Sequence, residues 1–249
     1  QAQGGSLPGE VEQALRRAQV PLDAVSVVVQ EVGAATPRLA FNAQQPRNPA
    51  SLMKLLTTYA ALDMLGPAWQ WSTPVWLVGK LEGGVLDGSL VIQGRGDPKL
   101  VVERLWLLLR RVQQLGVREI RGDIVLDQSM FETPPINPAE FDNEPLRPYN
   151  VRAQALLPSL GAVIYTFTPD AARGVAVVSA EPALAGVVVD ATVPLSNAAC
   201  GDWRGGLRAS LGDAARTRFA GSYPLACGEK SWPTAFAEPG SYTERRSEE

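Results

Sequence analysis

Residues 51–65 constrain the fold of this 249-residue chain more than any other stretch. They run Ser-Leu-Met-Lys-Leu-Leu-Thr-Thr-Tyr-Ala-Ala-Leu-Asp-Met-Leu, follow Pro49-Ala50 and stop at Gly66-Pro67. At 100° per residue, Leu52, Leu55, Leu56, Tyr59 and Leu62 fall into one apolar stripe, the pattern of an amphipathic helix. Glycine followed by proline is how such a helix ends. A helix of this kind is expected to bury its striped flank against another element. Ser51 lies at the edge of the stripe, with Lys54 one turn further along the same side. The other flank would then present a hydroxyl and an amine together.

Around this helix the chain changes texture. Ser6-Leu7-Pro8 followed by residues 10–18 reads as a capped helix with Val11, Leu15 and Ala18 on one face. Val25–Val32 is β-branched and reads as a strand, turned by Gly33 into a second near Arg38–Asn42. From about Trp71 short strands with glycine punctuation take over. Pro74–Val78 and Ser89–Gln93 flank a turn at Gly83-Gly84, a helix is expected over Val102–Leu115, and a strand over Ile120–Leu126. That strand-helix-strand piece is one unit. Thr133–Pro148 holds five prolines, too many for a regular element, and marks a long loop or subdomain boundary. Strands are expected at Ala162–Thr168, Gly174–Ser179 and Gly186–Ala191, and a new helix after Trp232.

Composition removes several kinds of function. Apolar residues at 45% and charged residues at 20% are an ordinary globular balance. A net charge of -3 with scattered arginines leaves no nucleic-acid footprint. The most apolar run, Leu105–Leu109, is far too short to span a membrane and meets Arg110-Arg111 at once. The chain has no histidine, so Ser-His-Asp and Cys-His mechanisms and histidine metal sites are excluded within it. No metal and no other cofactor is expected. Cys200 and Cys227 lie in one late segment. They pair if the protein is exported and are free buried thiols if it is cytosolic.

Without an imidazole, nucleophilic catalysis needs another base, and lysine is the usual substitute. Only Lys54, Lys80, Lys99 and Lys230 are available. Ser51-x-x-Lys54 puts a hydroxyl and an amine one helical turn apart. The positive end of the helix dipole disfavours a cation there, which favours the neutral, proton-accepting amine. Partial burial of Lys54 beside the leucines would add to this. Ser51, at the helix start, would also offer its backbone N–H to a developing oxyanion. With fourteen serines and four lysines, chance alone yields such a spacing roughly one time in five, so the placement carries more weight than the motif.

Other features have plain readings. Arg95-Gly96-Asp97 and Arg121-Gly122-Asp123 spell adhesion tripeptides but sit at expected strand ends, where glycine and aspartate make turns. Glu140, Asp142 and Glu144 are an acidic group in the proline-rich loop. They read first as solvated loop charges, with Asp142 as the candidate among them for meeting a substrate amine. Trp69, Trp71, Trp76 and Trp106 read as core or subdomain contacts.

The stretch Pro49–Thr58 resembles the nucleophile helix of the D-Ala-D-Ala carboxypeptidase/endopeptidase family, the low-molecular-mass class C penicillin-binding proteins. Further matches follow in family order: Leu65-Gly66-Pro67, Gly88–Ile92, Gly96–Leu100, Gly122–Asp127 and Pro148–Val151. The resemblance implies an α/β fold. Its catalytic domain, incomplete here, would be like those of serine β-lactamases and penicillin-binding proteins, with a large, mostly β inserted region containing the strand-helix-strand unit. Residues 1–72 would begin the catalytic domain, 73–228 would form the insertion with a subdomain boundary near 133–150, and 229–249 would start the return.

The same resemblance implies that Ser51 attacks the D-Ala-D-Ala peptide bond of a peptidoglycan stem peptide while Lys54 accepts its proton. An acyl-serine forms and β-lactams inhibit it. It also implies a Cys200–Cys227 disulfide and a periplasmic or otherwise extracytoplasmic location. Action on cross-links, as an endopeptidase, is the related activity. The family's Ser-x-Asn and Lys-Thr-Gly elements occur nowhere in the chain, so it is expected to be an inactive fragment. The rivals are an exported, non-catalytic peptidoglycan-binding scaffold and a β-lactamase. The long stretch after the nucleophile helix argues against the latter. Gln1-Ala2-Gln3 reads as a mature terminus, and Arg245–Glu249 as a solvated tail or a gene-end artefact.

Overall fold

A computed structural model describes residues 5–247. The Gln1-Ala2-Gln3 start and the Glu248-Glu249 end of the tail lie outside them. The chain divides into two compact units, one up to Trp69 and one from Gln70.

In the first unit, α1 (Gly9–Arg17) carries Glu10 and Glu12 in its first turn and Arg16 and Arg17 in its last. That distribution complements the helix dipole. The expected serine cap is not used. The Pro8 carbonyl takes the N–H groups of Val11 at 2.9 Å and Glu12 at 3.1 Å instead. β1 (Val27–Val29) and β2 (Leu39–Phe41) pair antiparallel. β1 is shorter than its β-branched run because a turn at Glu31–Ala34 takes the end of that run. A 3₁₀ turn at Ala50–Leu52 leads into α2 (Met53–Leu65), which stops at Gly66 with φ 79°.

The expected burial of the α2 stripe does not occur. Leu55 is 71% exposed, Tyr59 70% and Leu62 52%. Among the described residues of this unit only Leu7 and Ala40 are buried. A two-stranded hairpin and one short helix offer too little surface to cover a thirteen-residue apolar helix.

The second unit opens with β3 (Val75–Glu82) and β4 (Val85–Gln93), an antiparallel hairpin turning at Gly83 and Gly84 with φ 58° and 89°. Positive φ at both central residues is what a type I′ hairpin needs, so glycine falls there. α3 (Val102–Gln114) follows, then β5 (Glu119–Ile120) and β6 (Ile124–Asp127), both parallel to β4. This is the expected strand-helix-strand unit. Its core is Leu86, Leu90, Ile92, Leu100, Val112, Val117 and Leu156. Trp69, Trp71, Trp76 and Trp106, expected as core or subdomain contacts, are each about half exposed.

After the loop come β7 (Ala162–Asp170), β8 (Val175–Glu181), β9 (Val188–Val189) and β10 (Thr192–Ser196). The short α4 (Trp203–Gly206) leads to β11 (Leu207–Ser210), β12 (Arg216–Gly221), β13 (Tyr223–Pro224) and β14 (Lys230–Ala235), and α5 (Pro239–Ser247) follows. One sheet has the order β13-β10-β8-β7-β14 and another β11-β12-β9. Alternation along β7 turns Val163, Tyr165 and Phe167 inward. Phe167 stacks on Tyr223 at 5.4 Å and meets Phe219 edge-on at 5.0 Å.

β14 was not foreseen. It pairs with β7 from Lys230–Phe167 to Ala235–Ala162, and Tyr242 of α5 is fully buried in the same core. The described part of residues 229–249 packs within the second unit.

Candidate active site

Pro49 has helical angles, and Ala50 takes φ 44°, a left-handed value uncommon for a residue with a side chain. The Ala50 N–H donates to Asn48 Oδ1 at 2.9 Å, and the Leu52 N–H to the Pro49 carbonyl at 2.9 Å. This pinned kink sets Ser51 in a 3₁₀ turn immediately before α2. Lys54, the second residue of α2, places Nζ 2.9 Å from Ser51 Oγ. The amine donates in that contact. The same separation serves the reverse transfer, a neutral amine accepting the hydroxyl proton. Both side chains are exposed, so the partial burial expected for Lys54 is absent.

Asp142 belongs to the second unit. It accepts from Tyr149 Oη at 2.6 Å, Asn150 Nδ2 at 2.8 Å and the Glu144 N–H at 3.0 Å. The Tyr149 hydroxyl, helped by Asn150 and Glu144, holds the Asp142 carboxyl below its ordinary range, and Asp142 in turn raises the Tyr149 phenol. Arg147 and Glu144 pair at 3.4 Å. Arg152 donates to the Thr133 carbonyl and hydroxyl, joining the two ends of the loop. Both Asp142 oxygens are thus engaged within a self-tied loop. Sequence reasoning missed Tyr149 and Asn150 as its partners, although Pro148–Val151 had been noticed as a motif.

Cys200 and Cys227 are bonded, with Cα atoms 4.7 Å apart. Nearby, Arg204 lies over the rings of Trp203 at 5.3 Å and Trp232 at 5.6 Å. That cation between two indoles had no signal beyond the late tryptophans themselves.

A family model described as the D-Ala-D-Ala carboxypeptidase 3 (S13) family matches residues 7–247. The chain belongs to this family. Among curated carboxypeptidases, it is 38% identical over 84 residues to D-alanyl-D-alanine carboxypeptidase DacB of Haemophilus influenzae, 34% of this chain and 18% of that protein. It is 34% identical over 144 residues to the D-alanyl-D-alanine carboxypeptidase of an Actinomadura species, 57% of this chain and 25% of that protein. The crystal structure of penicillin binding protein 4 (dacB) from Haemophilus influenzae matches with a TM-score of 0.68 at 23% identity, covering 90% of this chain and 49% of that one. The same protein complexed with a β-lactam matches with a TM-score of 0.59 at 21% identity, covering 90% and 48%. The carboxypeptidase family chain thus shares the penicillin-binding-protein fold, with its β-rich region, over about half the length of those structures.

Proposed function

We propose that this chain supplies the nucleophile and base of a serine-type D-alanyl-D-alanine carboxypeptidase acting on peptidoglycan stem peptides. The observation that carries the reading is the 2.9 Å contact between Lys54 Nζ and Ser51 Oγ at the opening of α2, in a chain without histidine. Lys54 takes the hydroxyl proton as Ser51 Oγ attacks the carbonyl between the two D-alanines. The terminal D-alanine leaves as the amine, and water then releases the acyl group from Ser51. A β-lactam carbonyl is attacked in the same way and leaves a longer-lived acyl-serine. The unit up to Trp69 is read as the start of the catalytic domain, and the unit from Gln70 as inserted. Asp142 acts first as the tie that orders its loop, with contact to a substrate amine as its second role. The Cys200–Cys227 bond supports an extracytoplasmic location, and no helix among the described residues is long and apolar enough to cross a membrane.

Fluorescent penicillin tests the reading. The complete gene product is expected to take covalent label, and Ser51→Ala none. The 249-residue chain alone is expected to label poorly or not at all, because it holds neither Ser-x-Asn nor Lys-Thr-Gly. That lack is also what favours the second reading, a non-catalytic peptidoglycan-binding scaffold. No label on the complete product would select it.

A further inference from the structure

Between α3 and the sheet beneath it lies a cavity of about 270 Å³. Its floor is the inner face of β4 and β6, where Leu90 stands beside Ile124 and Ile92 beside Leu126 in register. Leu105 and Leu109 of α3 form its roof. Thr243 reaches the wall, but its hydroxyl is spent on the Leu156 carbonyl at 3.2 Å. The interior is therefore apolar, and the only other polar side chains lining it are Gln113 and Arg118.

Arg118 is exposed, with its backbone tied to the hairpin. Its N–H donates to the Gly84 carbonyl at 2.7 Å. Its stem lies over Gly84, where an added Cβ would stand 3.1 Å from Arg118 Cδ. The hairpin glycine that the turn requires thus also leaves the arginine its seat. Among the described residues no carboxylate pairs with this guanidinium. The acid beside it in sequence, Glu119, is taken by Arg121 at 3.0 Å. An apolar chamber with one unpaired cation in its lining selects a ligand with one apolar chain and one anionic head, and guanidinium matches a carboxylate in a two-pronged pair.

We propose that this cavity is a binding site for a medium-chain monocarboxylate, its alkyl chain between α3 and the sheet and its carboxylate on Arg118. The site is separate from the Ser51–Lys54 chemistry and does not depend on it.

Isothermal titration calorimetry of the 249-residue chain with sodium octanoate, sodium decanoate and decyltrimethylammonium bromide, each below its micellar concentration, decides it. Decanoate is expected to bind at one site, roughly ten-fold tighter than octanoate because two more methylenes are buried. The cationic amphiphile is expected to bind at least ten-fold more weakly. Arg118→Ala should weaken decanoate about ten-fold while leaving 1-octanol binding unchanged. Leu109→Trp, with its circular dichroism unaltered, should fill the chamber and abolish binding of both. Equal affinity for the anionic and cationic amphiphiles, decanoate binding indifferent to Arg118→Ala, or no saturable binding would each overturn the proposal.

Discussion

Ser51 and Lys54 are brought together by local geometry alone. A proline, an alanine forced to φ 44° and a 3₁₀ turn aim the hydroxyl so that the amine three residues later reaches it at 2.9 Å. Left-handed alanine costs about 1–2 kcal/mol, and such strain beside a candidate nucleophile fits the tendency of strain to gather at functional sites. Lys54 is exposed, so its removal leaves no buried hole. In the complete gene product Lys54→Ala is expected to slow acylation of Ser51 by about 10²–10⁴-fold while the thermal unfolding temperature stays within experimental error. Stopped-flow or gel labelling with fluorescent penicillin reads the rate, and normal labelling would remove Lys54 from the mechanism. The Ser-x-x-Lys spacing was legible in the sequence. The exposure of the lysine was not, because it depends on what else covers α2.

Among elements, the β3–β4 hairpin was legible in outline, since two glycines between β-branched runs make a turn with a mechanism. Its cross-strand pair Gly79–Gly88 was not. The two glycines sit directly opposite, and a Cβ on Gly88 would come within 2.0 Å of the Val78 carbonyl oxygen. Gly88→Ala should therefore cost about 2 kcal/mol or more, seen as a lower denaturant midpoint for the chain. No sequence pattern distinguishes such a pair from glycines placed for turns. The loop over residues 133–148 was recognised from its prolines, but its tie was hidden in pairwise geometry. Asp142 has its carboxyl depressed by the Tyr149 hydroxyl, so its contribution to loop order is present above its ordinary value and lost as pH falls through the folded one. Tyr149 is raised by Asp142, so its contribution is present below its ordinary value and lost as pH rises through the folded one. Protection factors for amide exchange of residues 140–150, taken against the intrinsic rate at each pH, should thus be highest between the two limits. Tyr149→Phe should speed exchange at neutral pH, and no change in that variant would mean the bond does not hold the loop.

For the molecule as a whole, the disulfide closes the segment that carries α4, β11, β12 and β13 onto the aromatic core. Cross-linking across a separation of 27 residues limits the unfolded chain and is worth about 3 kcal/mol. Cys200→Ser with Cys227→Ser should lower the melting temperature of the second unit by several degrees, followed by calorimetry under non-reducing conditions. An unchanged melting temperature would show that the aromatic packing suffices. The sequence by itself determined what is local: the helix that opens at Ser51, the hairpin turn, the long proline-rich loop, the absence of any imidazole and the ordered motifs that match the carboxypeptidase family. These follow from dihedral preferences, residue periodicity and side-chain chemistry within a few positions. Only the tertiary structure decided which apolar faces are covered. β14 joins β7 across more than sixty residues, while the stripe of α2, equally apolar in sequence, stays open. Burial depends on a partner surface from distant chain, and periodicity announces the need for that surface without supplying it.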